Sequence, residues 1–134
     1  MEVKRLTDLR MYKYLIHKVE QAKVTEIAES IKRIGLLLPV VINRQGIVLD
    51  GHLRVKALME LGVEEVPCFI APDRSVEDEI IAMLAMNRYT SNWDEEVLKE
   101  VYKEIGDKMA DGGFLQQELD ILSDRGQYNV EVEI

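Results

Sequence analysis

The sequence predicts a mixed α/β (α+β) fold: a small mixed sheet with flanking helices, followed by a helical C-terminal part. Two amphipathic stretches, near 24–34 and 52–61, each stop at a glycine, Gly35 and Gly62. Short apolar, β-branched runs separate them, bounded by turn residues. Beyond residue 75 those runs cease and helical periodicity takes over.

Val3 to Leu6 reads as an opening strand, and Thr7 to Tyr14 is ambiguous. Val24, Ile27, Ile31 and Ile34 recur at helical spacing. Leu36 to Asn43 reads as a strand, with Pro39 at its start or edge because proline has no amide donor. Arg44-Gln45-Gly46 is a turn, and Ile47-Val48-Leu49 returns as the second strand of a hairpin or near-hairpin. A helix follows from His52 to Leu61, with Leu53, Ala57, Leu58 and Leu61 on one face. Val66 to Ile70 is a further strand, and residues 76–87 are an apolar helix. Asn92 with Glu95 suggests a capping box opening a long helix to about Ala110, stopped by Asp111-Gly112-Gly113. A short helix is expected over Gln116–Leu122, and the alternating tail after residue 123 reads as a last strand or a disordered end. The expected domains are a core at 1–75 and an acidic helical extension at 76–134, packed on it.

Composition supports a globular chain: 134 residues, 47% hydrophobic and 31% charged. A single cysteine, Cys68, excludes an internal disulfide. The first twenty residues mix charges with apolar residues and do not read as a signal peptide. No apolar run approaches the roughly 20 residues that span a bilayer. A cytoplasmic location without membrane contact is therefore expected. The net charge of -8 is uneven: residues 1–74 carry 12 Lys/Arg against 10 Asp/Glu, and residues 75–134 carry 5 against 15. A half with a balance of -10 repels a polyanion. The near-neutral half can still hold a small anion locally.

The segment with the strongest chemistry is Asp50-Gly51-His52-Leu53-Arg54. A strand ends, glycine permits a tight turn, and a helix begins. The first helical amides lack internal partners and lie at the positive end of the helix dipole, which suits an anion. Gly51 removes a side chain that would keep phosphate off the backbone. His52 and Arg54 add donors, and Arg54 can grip phosphate through two parallel hydrogen bonds. The Arg54 side chain is expected to point to solvent. Asp50 can coordinate Mg²⁺ or accept a proton from a hydroxyl. The competing reading is structural: Asp-Gly is an ordinary turn signal and Asp an ordinary helix cap. Spacing alone leaves the two readings level.

The stretches Ile27–Ile42, Ile47–Gly62 and Val66-Pro67 resemble the ParB/sulfiredoxin superfamily. The shared pattern is a helix ending at a glycine, a Pro-Val-Val strand, a strand running into Asp-Gly-His-x-Arg, a helix ending Leu-Gly, and a Val-Pro strand. It covers roughly residues 1–75. The resemblance implies that Gly51, His52, Leu53 and Arg54, with Pro39 nearby, bind the phosphates of a nucleoside triphosphate or diphosphate with Mg²⁺. ParB partition proteins usually have GERR at this turn and bind and hydrolyse CTP. Sulfiredoxins have a catalytic cysteine there, which this chain lacks. Free serine kinases have DGHHR, matched here except at Leu53, and an upstream catalytic glutamate. In this chain Lys18 stands where that acid is expected, and Glu20 is its nearest substitute, so Asp50 and Glu20 are the candidate catalytic residues. The stretch from Asn87-Arg88-Tyr89 to Trp93-Asp94-Glu95-Glu96 is more similar to ParB-like modules of DNA-modification methylases and phages.

The other candidates read as structural. His17, His52 and Cys68 offer no closely spaced ligand pair, so no metal site is expected from them. Cys68 reads as a core residue, Trp93 as a helix-start anchor, and the Met-rich helix near 80–86 as core. The functional expectation is nucleotide binding through Asp50–Arg54, with weak NTPase or phosphotransfer activity. The alternative is a non-catalytic ParB-like module in a DNA partition, DNA-modification or phage system, a DNA-associated regulator or nuclease-like; a nuclease proper is disfavoured because no dense carboxylate cluster stands near Asp50. A homodimer or protein partner would use the C-terminal helices. The charge makes one prediction by itself: at physiological salt the chain gives no sub-micromolar, sequence-independent shift of duplex DNA in a gel.

Overall fold

The computed structural model describes residues 1–14, 20–87, 94–114, 116, 118 and 119. The described elements run β1 (Glu2–Arg5), β2 (Arg10–Met11), α1 (Gln21–Ile34), β3 (Val40–Ile42), β4 (Ile47–Asp50), α2 (His52–Glu60), β5 (Glu65–Ile70), α3 (Val76–Met86) and α4 (Glu95–Ile105). The fold is mixed α/β, and it divides into two compact units. One holds β1 to β5 with α1 and α2. The other holds α3, α4 and the residues after α4, together with Tyr14.

The first unit is organised by a five-stranded mixed sheet in the order β1-β5-β3-β4-β2. β3 and β4 form the expected hairpin, with Val41 opposite Asp50 and a register irregularity between Val41 and Ile42. β5 runs parallel to β3, placing Val40 opposite Cys68. β1 closes one edge, antiparallel to β5. The two-residue β2 lies parallel to β4 on the other edge. It falls within the stretch that the sequence left ambiguous. Inward-facing residues Val40, Ile42, Val48, Val66 and Cys68 join Leu6, Val55 and Leu58 in one core. α1 and α2 pack on each other through Val24, Ala28 and Ala57, with Ile31, Leu53 and Leu61 around them.

Element boundaries differ from expectation for local reasons. α1 begins at Gln21, ahead of Val24, because Gln21-Ala22-Lys23 propagate a helix without any apolar signal. The strand expected over Leu36–Asn43 is only Val40–Ile42. Pro39 has no amide to donate, and Leu37 and Leu38 are 74% and 65% exposed, so these two are neither strand nor core, while Leu36 packs against the core.

In the second unit, Ser75 caps α3 by accepting from the Asp78 amide at 3.1 Å. Asp94, not Asn92, caps α4: its Oδ1 accepts from the amides of Glu96 and Val97 at 3.1 and 3.4 Å. Asn92 itself lies outside the described residues. The helix does not reach Ala110. Gly106 ends it with a positive φ of 59°, and a 3₁₀ segment covers Gly106–Gly112. Ile80, Met83, Leu84, Leu98, Val101 and Met109 are buried, so the Met-rich helix supplies core as expected. Lys108 pairs with Glu77 at 2.6 Å, and the Tyr14 hydroxyl donates to Glu104 at 2.8 Å. Among the described residues no helix is long and apolar enough to cross a membrane. Of the expected helix over 116–122, only Gln116, Glu118 and Leu119 are described; the tail after 123 lies outside.

The hairpin depends on Asn43, a polar residue that is 5% exposed. Its Oδ1 accepts from the amides of Gln45 and Ile47 at 3.0 and 2.9 Å, so the side chain braces the turn from inside. Asn43→Ala strands both amides. It is expected to cost about 1–3 kcal/mol in urea unfolding, whereas Gln45→Ala at the exposed tip is expected to be near neutral.

Candidate functional site

The strand-to-helix turn lies where the sequence places it. Asp50 ends β4, Gly51 is the N-cap of α2, and His52 is the first helical residue. Gly51 sits at φ 102°, ψ 24°, a left-handed conformation that residues with a Cβ rarely adopt. Having no side chain, Gly51 leaves the first turn of α2 without the oxygen cap that Ser75 and Asp94 give their helices. The amide end of α2 thus carries the partial positive charge of a helix N-terminus.

Arg54 departs from expectation. Its side chain does not reach into solvent; it folds back and is only 17% exposed. Nη2 donates to the Asp50 carboxylate at 3.0 Å, and Nη1 donates to the Pro39 carbonyl at 3.1 Å. One guanidinium therefore ties the entry to β3, the end of β4 and the first turn of α2. It also accounts for Gly51 a second time. A Cβ built there would stand 3.1 Å from Nη2 and 3.2 Å from Nε. The space freed by the glycine is filled by the protein's own cation. The missing Cβ is legible in the sequence; what occupies its place is not.

The remaining candidate residues divide. Pro39, Asp50, Gly51 and Arg54 come together at the turn. His52 adjoins them, with its Nε2 buried. Leu53 packs into the α1–α2 interface, so only its backbone is available to the turn. Glu20 is the N-cap of α1, and Gln21 beside it donates to Glu60 at 2.7 Å, at the last residue of α2. Eight residues separate His52 from Glu60, which is about 12 Å of helix. His17 and Lys18 lie outside the described residues.

The other singled-out groups are structural where they are described. Cys68 is fully buried, and burial pushes its thiol pKa up, with Lys4 acting weakly the other way. The thiolate is disfavoured, as suits a core residue. Asn87 is buried at the end of α3, where its side-chain amide donates to the Met83 carbonyl at 2.7 Å. Among the described residues no three His, Cys, Asp or Glu stand close enough to hold a metal ion. A Mg²⁺ at the turn would find the carboxylate of Asp50 there and take its other ligands from phosphate and water, which is an ordinary arrangement for that ion.

A sheet of this order, with a Gly-initiated helix leaving the end of β4, defines a ParB-like fold. The ParB N-terminal domain matches residues 5–88, and the chain belongs to that family. It is 30% identical over 91 residues to a probable chromosome-partitioning protein ParB of Campylobacter jejuni, covering 64% of this chain and 32% of that protein. It is 28% identical over 101 residues to an uncharacterized protein, ORF326b, of Acidianus two-tailed virus, covering 75% of this chain and 31% of that one. The chain thus spans about a third of the length of these two relatives. Among solved structures, a Pnob8-like ParB-N domain superposes with a TM-score of 0.61 at 16% identity, over 81% of this chain and 45% of that one. The C-terminally truncated chromosome-partitioning protein ParB of Caulobacter crescentus, complexed with CTP-γ-S, gives 0.59 at 14% identity, over 98% and 85%.

The clamp makes Gly51 and Arg54 energetically coupled. Gly51→Ala is expected to cost about 1–3 kcal/mol in denaturant unfolding, from the left-handed backbone and the crowded guanidinium together. Arg54→Ala alone is expected to cost about 1.5 kcal/mol, since Asp50 can turn to water once its partner is gone. In the Arg54→Ala background the Gly51→Ala penalty should shrink to its backbone part. Strict additivity of the two would show that the guanidinium does not press on the glycine.

Proposed function

We propose that this chain is a ParB-type nucleotide-binding domain whose phosphate cradle is the turn Asp50–Arg54. The observation that carries the reading is the convergence at one point of a left-handed Gly51, the first amides of α2 and the Arg54 guanidinium. Backbone donors and a planar cation then face the same small volume, the combination that phosphate recognition uses. The likeness to a ParB crystallised with CTP-γ-S supports a nucleoside triphosphate as the ligand; Mg²⁺ would arrive with its phosphates. His52 adds a ring donor beside the turn, Leu53 a backbone amide, and Pro39 the carbonyl that fixes where Arg54 points.

The domain's wider role is proposed from its relatives: service in a DNA partition, DNA-modification or virus-encoded system in the cytoplasm. Its own acidic half argues that DNA is engaged through other segments or partners. Weak NTPase or phosphotransfer turnover would rest on Asp50 as proton acceptor or Mg²⁺ ligand. Glu20, the N-cap of α1, is the second candidate. A nuclease reading, raised by 39% identity over 54 residues to the ParB-like nuclease domain-containing protein YnaK of Escherichia coli, draws no support from a carboxylate cluster among the described residues.

Calorimetry with ATP, ADP, CTP and GTP, each with Mg²⁺, is expected to show binding of at least one nucleotide. Arg54→Ala should weaken that binding by about 10- to 100-fold, the worth of one charge-assisted hydrogen bond, at a temperature where the variant remains folded. No binding to the wild type at millimolar nucleotide, or the same affinity without Arg54, would leave Asp50–Arg54 as a turn and nothing more.

A further inference from the structure

The cation that should grip phosphate already has two of its five N–H donors engaged. Arg54 gives one hydrogen bond to Asp50 at 3.0 Å and one to the Pro39 carbonyl at 3.1 Å, and its guanidinium lies 3.1 Å from where a Cβ on Gly51 would stand. Asp50 is thus an internal anion seated beside the helix amides that an external anion would approach. A phosphate arriving alone meets a carboxylate of its own sign and an arginine already partnered. We infer that Asp50 latches the phosphate site shut, and that a divalent cation carried by the phosphates opens it by drawing the Asp50 carboxylate away from Arg54. This rests on the proposed phosphate role of the turn.

The geometry suits an exchange. Asp50 is 28% exposed and Arg54 17%, so a hydrated cation can reach the carboxylate from solvent while the guanidinium stays close by. Asp50 and Arg54 are four residues apart across the Gly51 turn, and Arg54 keeps its second anchor at Pro39, so release of the carboxylate does not free the arginine entirely. Mg²⁺ is commonly held by one or two carboxylates together with substrate phosphates, and Asp50 supplies that carboxylate. The cation and the phosphate then bind with mutual dependence: each binds at lower cost when the other has already parted the ion pair, and the coupling is reciprocal.

The test is the Asp50→Asn variant against the wild type, with inorganic tripolyphosphate as the probe, read by calorimetry in EDTA and again in Mg²⁺. Comparing the two proteins under each condition cancels the binding of Mg²⁺ by the probe itself. Asparagine keeps an oxygen acceptor for Arg54 but only as a neutral partner, which weakens the latch by roughly half. In EDTA, Asp50→Asn is expected to bind tripolyphosphate about tenfold more tightly than the wild type. In Mg²⁺ that advantage should vanish or reverse, because asparagine is a poor ligand for the cation. A thermal melt establishes that the variant is folded, and Asp50→Ser repeats the comparison should it not be. Weaker or equal binding by both folded variants in EDTA overturns the latch, as does a variant-to-wild-type ratio that is the same in EDTA and Mg²⁺. If the wild type in Mg²⁺ and the variants in EDTA all fail to bind tripolyphosphate and CTP, the phosphate role of the turn fails with it.

Discussion

The first unit depends on how the chain leaves β4. The backbone must turn from an extended strand into a helix within one residue, and Gly51 does this at φ 102°. An L-residue with a side chain would resist both the dihedral and the neighbour, since the Cβ position touches the Arg54 guanidinium. With Gly51 in place, Arg54 can reach back across four residues to Asp50 and across fifteen to the Pro39 carbonyl. Three consecutive pieces of the fold are thereby registered to one another by a single side chain: the start of β3, the end of β4 and the start of α2. The apolar contacts beyond the turn, Val55 and Leu58 on the sheet and Ala57 on α1, are set by that registration.

How much was legible in the sequence depends on how local each signal is. β4, the glycine turn and α2 are written in adjacent residues, and they lie where expected. The β3–β4 hairpin was legible from Arg44-Gln45-Gly46, although the bracing role of Asn43 was not, because burial of its side chain is a tertiary event. Pro39 was correctly placed at the start of its strand, but the apolar run before it suggested more strand than exists. A missing amide limits the ladder regardless of how β-like the neighbours are. The start of α4 was misplaced by two residues, since Asn92 and Asp94 are both good caps and spacing alone does not choose between them.

The site was legible as an address and not as an arrangement. Asp50, Gly51 and Arg54 were singled out together, and the structure brings them together with Pro39. Arg54's inward turn was missed because no sequence rule says that an exposed-face arginine will find a carbonyl fifteen residues upstream. The (i, i+4) spacing of Asp50 and Arg54 was the available signal, and it straddles a strand-helix junction where helical pairing rules do not strictly apply. Glu20 is legible only as the nearest substitute for the acid that Lys18 replaces, and its helix runs against α2 with Gln21 beside Glu60, so the start of one faces the end of the other.

The same contact therefore serves two opposed ends. As an ion pair with both partners less than a third exposed, Asp50–Arg54 helps fix the turn. On the proposed reading Arg54 is also the cation that binds phosphate, and Asp50 would compete with that ligand for it. A site built this way cannot be optimal for stability and for empty-state affinity together. On the proposed reading, a stronger clamp weakens the grip on free phosphate to the extent that the ion pair must part for the ligand to bind. If the turn holds phosphate as proposed, such a site would favour a ligand that brings its own cation, a metal-complexed polyphosphate, over simple anions that the carboxylate next door would hold off.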